Sequence, residues 1–273
     1  MRRTLSRLTV FVIIFGLTVA LAEASPYPGT NLYDRGVDVL GNRLIYDADL
    51  KITWYDFTKV TYDNWQDTWN NVVSWATNLE VTVTGQTITD WRLPTTQDRT
   101  GLDGWGYDGT TWGGYNIMSS EMAHLYYEEL GNKGYYATDG TYQPDYGLQN
   151  TGPFVNLLSF HTDQVDAQYW FGTEYVRSYY TADPNINCEN ENGCAYVFSF
   201  GAGAQLGRPK DFGGFAVAVL DGDVATWPPG PPPCDPPRSG CTPVGVPEPS
   251  TLLLLGSGLA GLGGVAWRRH RRG

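Results

Sequence analysis

Residues 246–273 place the strongest constraint on what this chain can become. Pro247, Glu248 and Pro249 form a stiff step, residues 250–267 carry no charge, and Arg268, Arg269, Arg271 and Arg272 follow directly. An uncharged run of that length, rising about 1.5 Å per residue as a helix, reaches across a bilayer core. Arginines at one end of such a span stay on the cytoplasmic side. The pattern predicts a C-terminal transmembrane helix in the inner membrane, with everything before Pro247 outside the cytoplasm.

Motif, span and basic end in that order resemble the PEP-CTERM sorting signal of bacterial proteins. The resemblance implies a partner, the membrane protease exosortase, which acts near the Pro-Glu-Pro motif so that the tail is discarded. It further implies a final location at the cell surface or in the extracellular matrix. A permanent single-pass anchor is the competing reading of the same residues.

The other end of the chain supports export. Arg2, Arg3 and Arg7 precede an apolar run over residues 8–22, and Ala22-Glu23-Ala24 has the small-residue spacing of a signal-peptide cleavage site. Arg2-Arg3 alone is a poor twin-arginine motif, so general secretion is expected. The predicted organisation is a signal peptide at 1–24, one domain at 25–227, a Pro-rich linker at 228–245 and the sorting signal at 246–273.

Charge narrows the partners. Residues 25–249 keep 11 of the 18 basic and 28 of the 29 acidic side chains, a formal charge of −17 against −11 for the whole chain. Such a body repels polyanions, which excludes nucleic acid and leaves neutral sugars and divalent cations as compatible ligands. The cysteines fall in two close pairs, Cys188/Cys194 and Cys234/Cys241. In an oxidising compartment local disulfides are expected, with crossed pairing open and a metal site the weaker alternative.

Within the domain, short apolar–polar alternations at 37–39, 44–46 and 52–54 predict strands. Trp65, Trp69, Val72, Val73, Ala76 and Leu79 recur at helical spacing and predict a helix over 64–79, capped by Asp63 or Asn64. A second helix is predicted over 119–130, with a serine at its start, Gly131 after its end and a buried stripe of Met122, Leu125, Tyr126 and Leu130. Further strands are expected at 81–84, 154–160, 168–171, 195–200 and 215–220. Many short strands with two embedded helices make an α+β domain.

Several stretches carry a second resemblance: Asn42-Arg43-Leu44-Ile45-Tyr46-Asp47, Ile52-Thr53-Trp54, Trp91-Arg92-Leu93-Pro94-Thr95, Ser120 to Tyr127, and Tyr169 to Tyr175. Together they are similar to the Lcl C-terminal-like domain, over nearly all of residues 31–226. That resemblance implies a C-type-lectin-like fold and an extracellular polysaccharide ligand. Leu220 departs from the family's usual Ala-Val-Arg ending, and the acidic body does not suit the sulfated ligand of the name-giving member.

Candidate sites follow from residue chemistry. In the Trp91-Arg92-Leu93-Pro94 motif, Arg92 sits between bulky apolar neighbours and is read as a structural guanidinium satisfying carbonyls or a carboxylate. Trp105, Tyr107, Trp112 and Tyr115 are the best surface for stacking sugars, with packing inside a long loop as the alternative. Asp183, Asn185, Asn187 and Glu189 alternate like the start of a calcium loop, but Cys188 replaces the turn glycine.

Glu121, His124 and Glu128 share a helical face and are read as solvated, with a metal site as the alternative. Gln143-Pro144-Asp145 matches a sugar-specificity triplet of C-type lectins, without the downstream partner motif. The glycine-rich stretch 201–207 is a turn joining 195–200 to 215–220, not a dinucleotide loop. No nucleophile–base grouping is recognisable. A non-enzymatic surface or matrix protein with no cofactor other than calcium is therefore expected. An enzyme on a formylglycine-generating-enzyme-like scaffold is the alternative.

Overall fold

The computed structural model describes residues 25–60, 67–97, 104–160, 166–175 and 193–226. The expected signal peptide and linker, the motif Pro247–Glu248–Pro249, the tail arginines and the stretch with Asp183, Asn185, Asn187 and Glu189 lie outside the described residues, as do Cys188, Cys234 and Cys241. Cys194 is disulfide-bonded.

Three strands open the domain as an antiparallel meander: β1 (Leu32–Val37), β2 (Arg43–Asp47) and β3 (Ile52–Lys59). Aspartates build both connections. Asp38 accepts the N–H groups of Leu40 and Asn42, and Asp47 accepts those of Asp49 and Leu50, as short carboxylates do in turns. After the helix α1 (Trp69–Thr77), a hairpin forms from β4 (Val81–Val83) and β5 (Gln86–Ile88). Its two turn residues, Thr84 and Gly85, both have positive φ (48° and 84°), which matches the right-handed twist of the flanking strands.

Two further short strands, β6 (Trp105–Gly106) and β7 (Gly113–Tyr115), pair in parallel. The helix α2 (Glu121–His124) then continues into a π-helical turn, Leu125–Glu129. The chain finishes with β8 (Gln168–Tyr175), β9 (Cys194–Ser199), β10 (Ala204–Pro209) and β11 (Ala216–Asp221). β11 leaves its sequence neighbours to pair with β3, which gives a four-stranded sheet ordered β1-β2-β3-β11. The second sheet is ordered β6-β7-β10-β9-β8.

The main core fills the space among both sheets and α2. It contains Leu32, Ile45, Trp54, Met122, Leu125, Tyr126, Phe154, Tyr169, Phe198 and Val219. Side chains alternate across a strand. In β9 this sends Tyr196 and Phe198 into that core, while Ala195 and Val197 face Trp69, Val72 and Ala76 of α1. β11 divides likewise: Val217 and Val219 join the main core, and Ala218 and Leu220 pack under the β4–β5 hairpin with Tyr55 and Trp91. Both strands are buried on both faces, which explains why they read as continuous apolar runs.

The architecture is mostly β with two short helices, an α+β-like arrangement. Four sequence expectations need correction. The first helix, expected over 64–79, starts among the described residues at Trp69, since Thr68 is extended at its N-cap without a side-chain cap bond and the Trp69 N–H goes to the carbonyl of Lys210; residues 64–66 and the expected caps Asp63 and Asn64 lie outside the described residues. Residues 154–160 form no strand; the buried carboxylate of Asp56 takes the N–H groups of Val155 and Asn156, which removes them from any ladder. The turn at 200–203 joins β9 to β10, not to β11. β10 itself was hidden by Gly207 and Pro209; Gly207 is required because a Cβ there would lie 2.9 Å from the Tyr175 ring.

Candidate functional site

His124 and Glu129 line an open pocket of about 480 Å³ together with Thr30, Asn31, Asp49, Met118 and Glu128, and the fully buried Asp47 has a carboxylate oxygen within 4.8 Å of a ligand atom of each. Asp47 is the last residue of β2. Its Oδ1 holds the β2–β3 turn and its Oδ2 receives the indole N–H of Trp54 at 3.4 Å. Asp49, two residues on, accepts the side-chain amide of Asn31.

His124 and Glu129 come from α2 and the turn after it. Ser120 caps that helix by accepting the Ala123 N–H, and Met122, Leu125 and Tyr126 anchor its inner face. In a regular α-helix, residues five apart point about 140° away from each other. The π-helical turn closes through the Leu130 N–H to the Leu125 carbonyl, and its wider winding brings Glu129 round to His124. Glu129 Oε1 lies 3.7 Å from His124 Nε2, and Asp49 Oδ2 lies 4.0 Å from the same nitrogen. The other Glu129 oxygen accepts the Asn31 N–H at 2.7 Å.

Burial raises the Asp47 carboxyl above its ordinary range, against the hydrogen bonds from the turn. Burial also raises Glu129, and the nearby negative charges of Asp47 and Asp49 add to the effect. Site residues from the sequence are therefore redistributed. Glu121, His124 and Glu128 do not act as one face: Glu121 is committed to Arg92, Glu128 is exposed, and only His124 enters the cluster. Sequence reasoning missed Asp47, Asp49 and Glu129. The one available signal was the Asp-Ala-Asp spacing after a strand; the helix register for Glu129 could not be guessed without the π turn.

The aromatic loop is split in the same way. Trp105 and Tyr107 are each 38% exposed. Trp112 is only 5% exposed and stacks on Tyr175 with ring centroids 4.7 Å apart. Tyr115 is buried against Tyr107 and Tyr136, and burial pushes its hydroxyl up to about 12. As sugar-stacking contacts Trp112 and Tyr115 are therefore corrected to core residues, because the loop folds their rings inward. Tyr135, Tyr136, Tyr142 and Tyr146 extend the exposed half through edge-to-face and tilted contacts. Gln143 spends its side-chain amide on the Gly134 carbonyl, and Asp145 pairs with Lys133.

The Trp91–Pro94 motif bridges the two sheets. Arg92 pairs with Val219 of β11 through two backbone hydrogen bonds, and Pro94 accepts the Gly172 N–H from β8. Its guanidinium makes two bonds to Glu121, one to the Leu93 carbonyl and two to Asp221 Oδ1. Burial opposes that charge, but the bonds and charges of Glu121 and Asp221 prevail and raise the Arg92 pKa.

Fold and site define a mostly β domain with two short helices, an aromatic surface and a separate acidic pocket. The chain also carries a recognised address: residues 245–272 match the family model of the PEP-CTERM protein-sorting motif. That motif indicates an exported surface protein, targeted to an exosortase and held at the membrane before cleavage. No curated protein and no solved structure matches the chain. Among the described residues no helix is long and apolar enough to cross a membrane, and the run 250–267 lies outside them.

Proposed function

We propose that the processed protein is a non-catalytic binding or structural module of the cell surface or matrix, associated with extracellular polysaccharide. The observation that carries the reading is the sorting motif at 245–272. The resemblance of the body to Lcl C-terminal-like domains adds the expectation of a C-type-lectin-like module. Its spatial support is that the landmark segments converge: Arg92 holds Glu121, Pro94 receives Gly172, and Asp47 receives Trp54. The proposed glycan surface is the exposed aromatic patch of Trp105, Tyr107 and Tyr142, since flat rings at the surface stack on the apolar faces of sugars. A body charge of −17 favours neutral polysaccharide over sulfated chains.

Cell fractionation and intact-mass measurement, with and without exosortase, test the address. The expected result is a membrane-bound chain with its tail intact in the mutant, and a surface or released chain ending near Pro247 in the parent. Equal masses in both strains would remove exosortase from the account. For the module, binding to a panel of neutral and acidic glycans is expected to fall when Trp105 and Tyr107 are replaced by alanine. Unchanged binding by that double variant would move the glycan surface elsewhere.

A further inference from the structure

The pocket at the β2–β3 turn supports a conclusion independent of the polysaccharide reading. Asp47, His124 and Glu129 each offer one ligand atom, and these atoms all lie within 4.8 Å of one another. Three features distinguish them from a solvated acidic face. Glu129 has a side chain only 3% exposed, and its Oε1 faces His124 Nε2 at 3.7 Å while its Oε2 accepts the Asn31 N–H. His124 Nε2 is itself buried without a hydrogen-bond partner. Among the described residues no lysine or arginine forms an ion pair with Asp47, Asp49 or Glu129.

A protonated imidazole would answer the charge but not the geometry. Separations of 3.7 and 4.0 Å are too long for N–H···O bonds, so its buried N–H would stay unsatisfied. A divalent cation answers both. Ligand atoms about 2.0–2.2 Å from one ion lie roughly 3–4 Å from each other, a contraction of about 1 Å from the present spacing. The ion would occupy the Nε2 lone pair, take Glu129 Oε1 as a ligand and offset two buried carboxylates. An imidazole among carboxylates suits zinc or manganese, whereas calcium takes oxygen ligands.

We propose that Asp47, His124 and Glu129 bind one divalent first-row transition ion, with Asp49 at the rim as a further oxygen donor. The π-helical turn is then the device that builds the site, because it alone presents Glu129 beside His124. Such turns inside α-helices recur at functional sites. The open side of the pocket leaves room for water or a ligand oxygen on the ion.

The test uses the full chain in detergent, stripped with chelator and titrated separately with zinc, manganese and calcium chlorides by calorimetry. Metal content after dialysis and the visible spectrum of a cobalt-substituted sample serve as independent readouts. One equivalent of zinc or manganese is expected, together with a cobalt spectrum showing nitrogen ligation. His124→Gln and, separately, Glu129→Gln are expected to weaken binding at least about tenfold, while Glu80→Gln, an exposed carboxylate outside the pocket, leaves it unchanged. Near-UV circular dichroism checks that each variant keeps its packing, and His124→Gln, at the pocket wall, decides the matter if Glu129→Gln misfolds. No stoichiometric binding of any ion, binding unaffected by His124→Gln, or binding of calcium alone would each overturn the assignment.

Discussion

Arg92 holds Glu121 through two parallel hydrogen bonds of 2.7 and 2.9 Å, and a third bond joins the same carboxylate to the Thr95 N–H. The pair links the strand-like Trp91–Pro94 segment to the first turn of α2, and so fixes the helix that delivers His124 and Glu129 to the pocket. A forked guanidinium on a carboxylate has a geometry that an ammonium cannot reproduce.

Arg92→Lys is therefore expected to cost about 1–3 kcal/mol, because charge survives but the fork does not. Glu121→Gln should cost a similar amount, and the double variant less than the sum. Urea unfolding followed by tryptophan fluorescence measures all three. Asp221→Asn is expected to matter little, since the Asp221 side chain is 76% exposed.

The two tryptophans of the aromatic loop should behave in opposite ways. Trp112→Ala removes a ring packed on Tyr175 and is expected to cost about 3–5 kcal/mol. Trp105→Ala is expected to change stability by less than about 1 kcal/mol, since its ring is partly solvated. Thermal melts of the two variants, side by side, check the contrast.

Acid titration offers a third test. Glu129 has a folded pKa raised above its ordinary 4.5, so the native state keeps its proton after the unfolded chain has lost it. The favourable contribution is complete below that value and is lost as pH rises through the folded pKa. In chelator, the stability of Glu129→Gln relative to the parent is expected to grow from about pH 4.5 upward. Asp38, whose folded pKa is lowered despite burial by its bonds from Tyr55 and Asn42, works in the opposite direction but is common to both proteins and cancels. Urea midpoints at several pH values read the difference, and a parent that gains on the variant with rising pH would contradict it.

Cys194 is disulfide-bonded at the start of β9, a strand buried on both faces. Reduction, or Cys194→Ser, is expected to cost about 2–4 kcal/mol. Peptide mapping without reductant should recover Cys194 joined to Cys188. Recovery joined to Cys234 or Cys241 would establish crossed pairing.

The address and much of the local structure were legible in the chain because they depend on nearest neighbours. A Pro-Glu-Pro step, an uncharged run and closing arginines make a signal whose parts are contiguous. The serine cap and apolar stripe of α2 likewise need only a few residues in a row, as do the apolar runs of β9 and β11. What tertiary structure alone decided depends on residues far apart. Nothing local tells β11 to leave β10 and pair with β3, or tells Asp56 to capture the backbone of residues 155–156. The acidic pocket illustrates this most clearly. Asp47 ends one strand, and His124 and Glu129 sit five apart on a helix where regular winding would separate them. A single π-helical turn, stabilised by its packing against the core rather than by its own propensity, brings the three together.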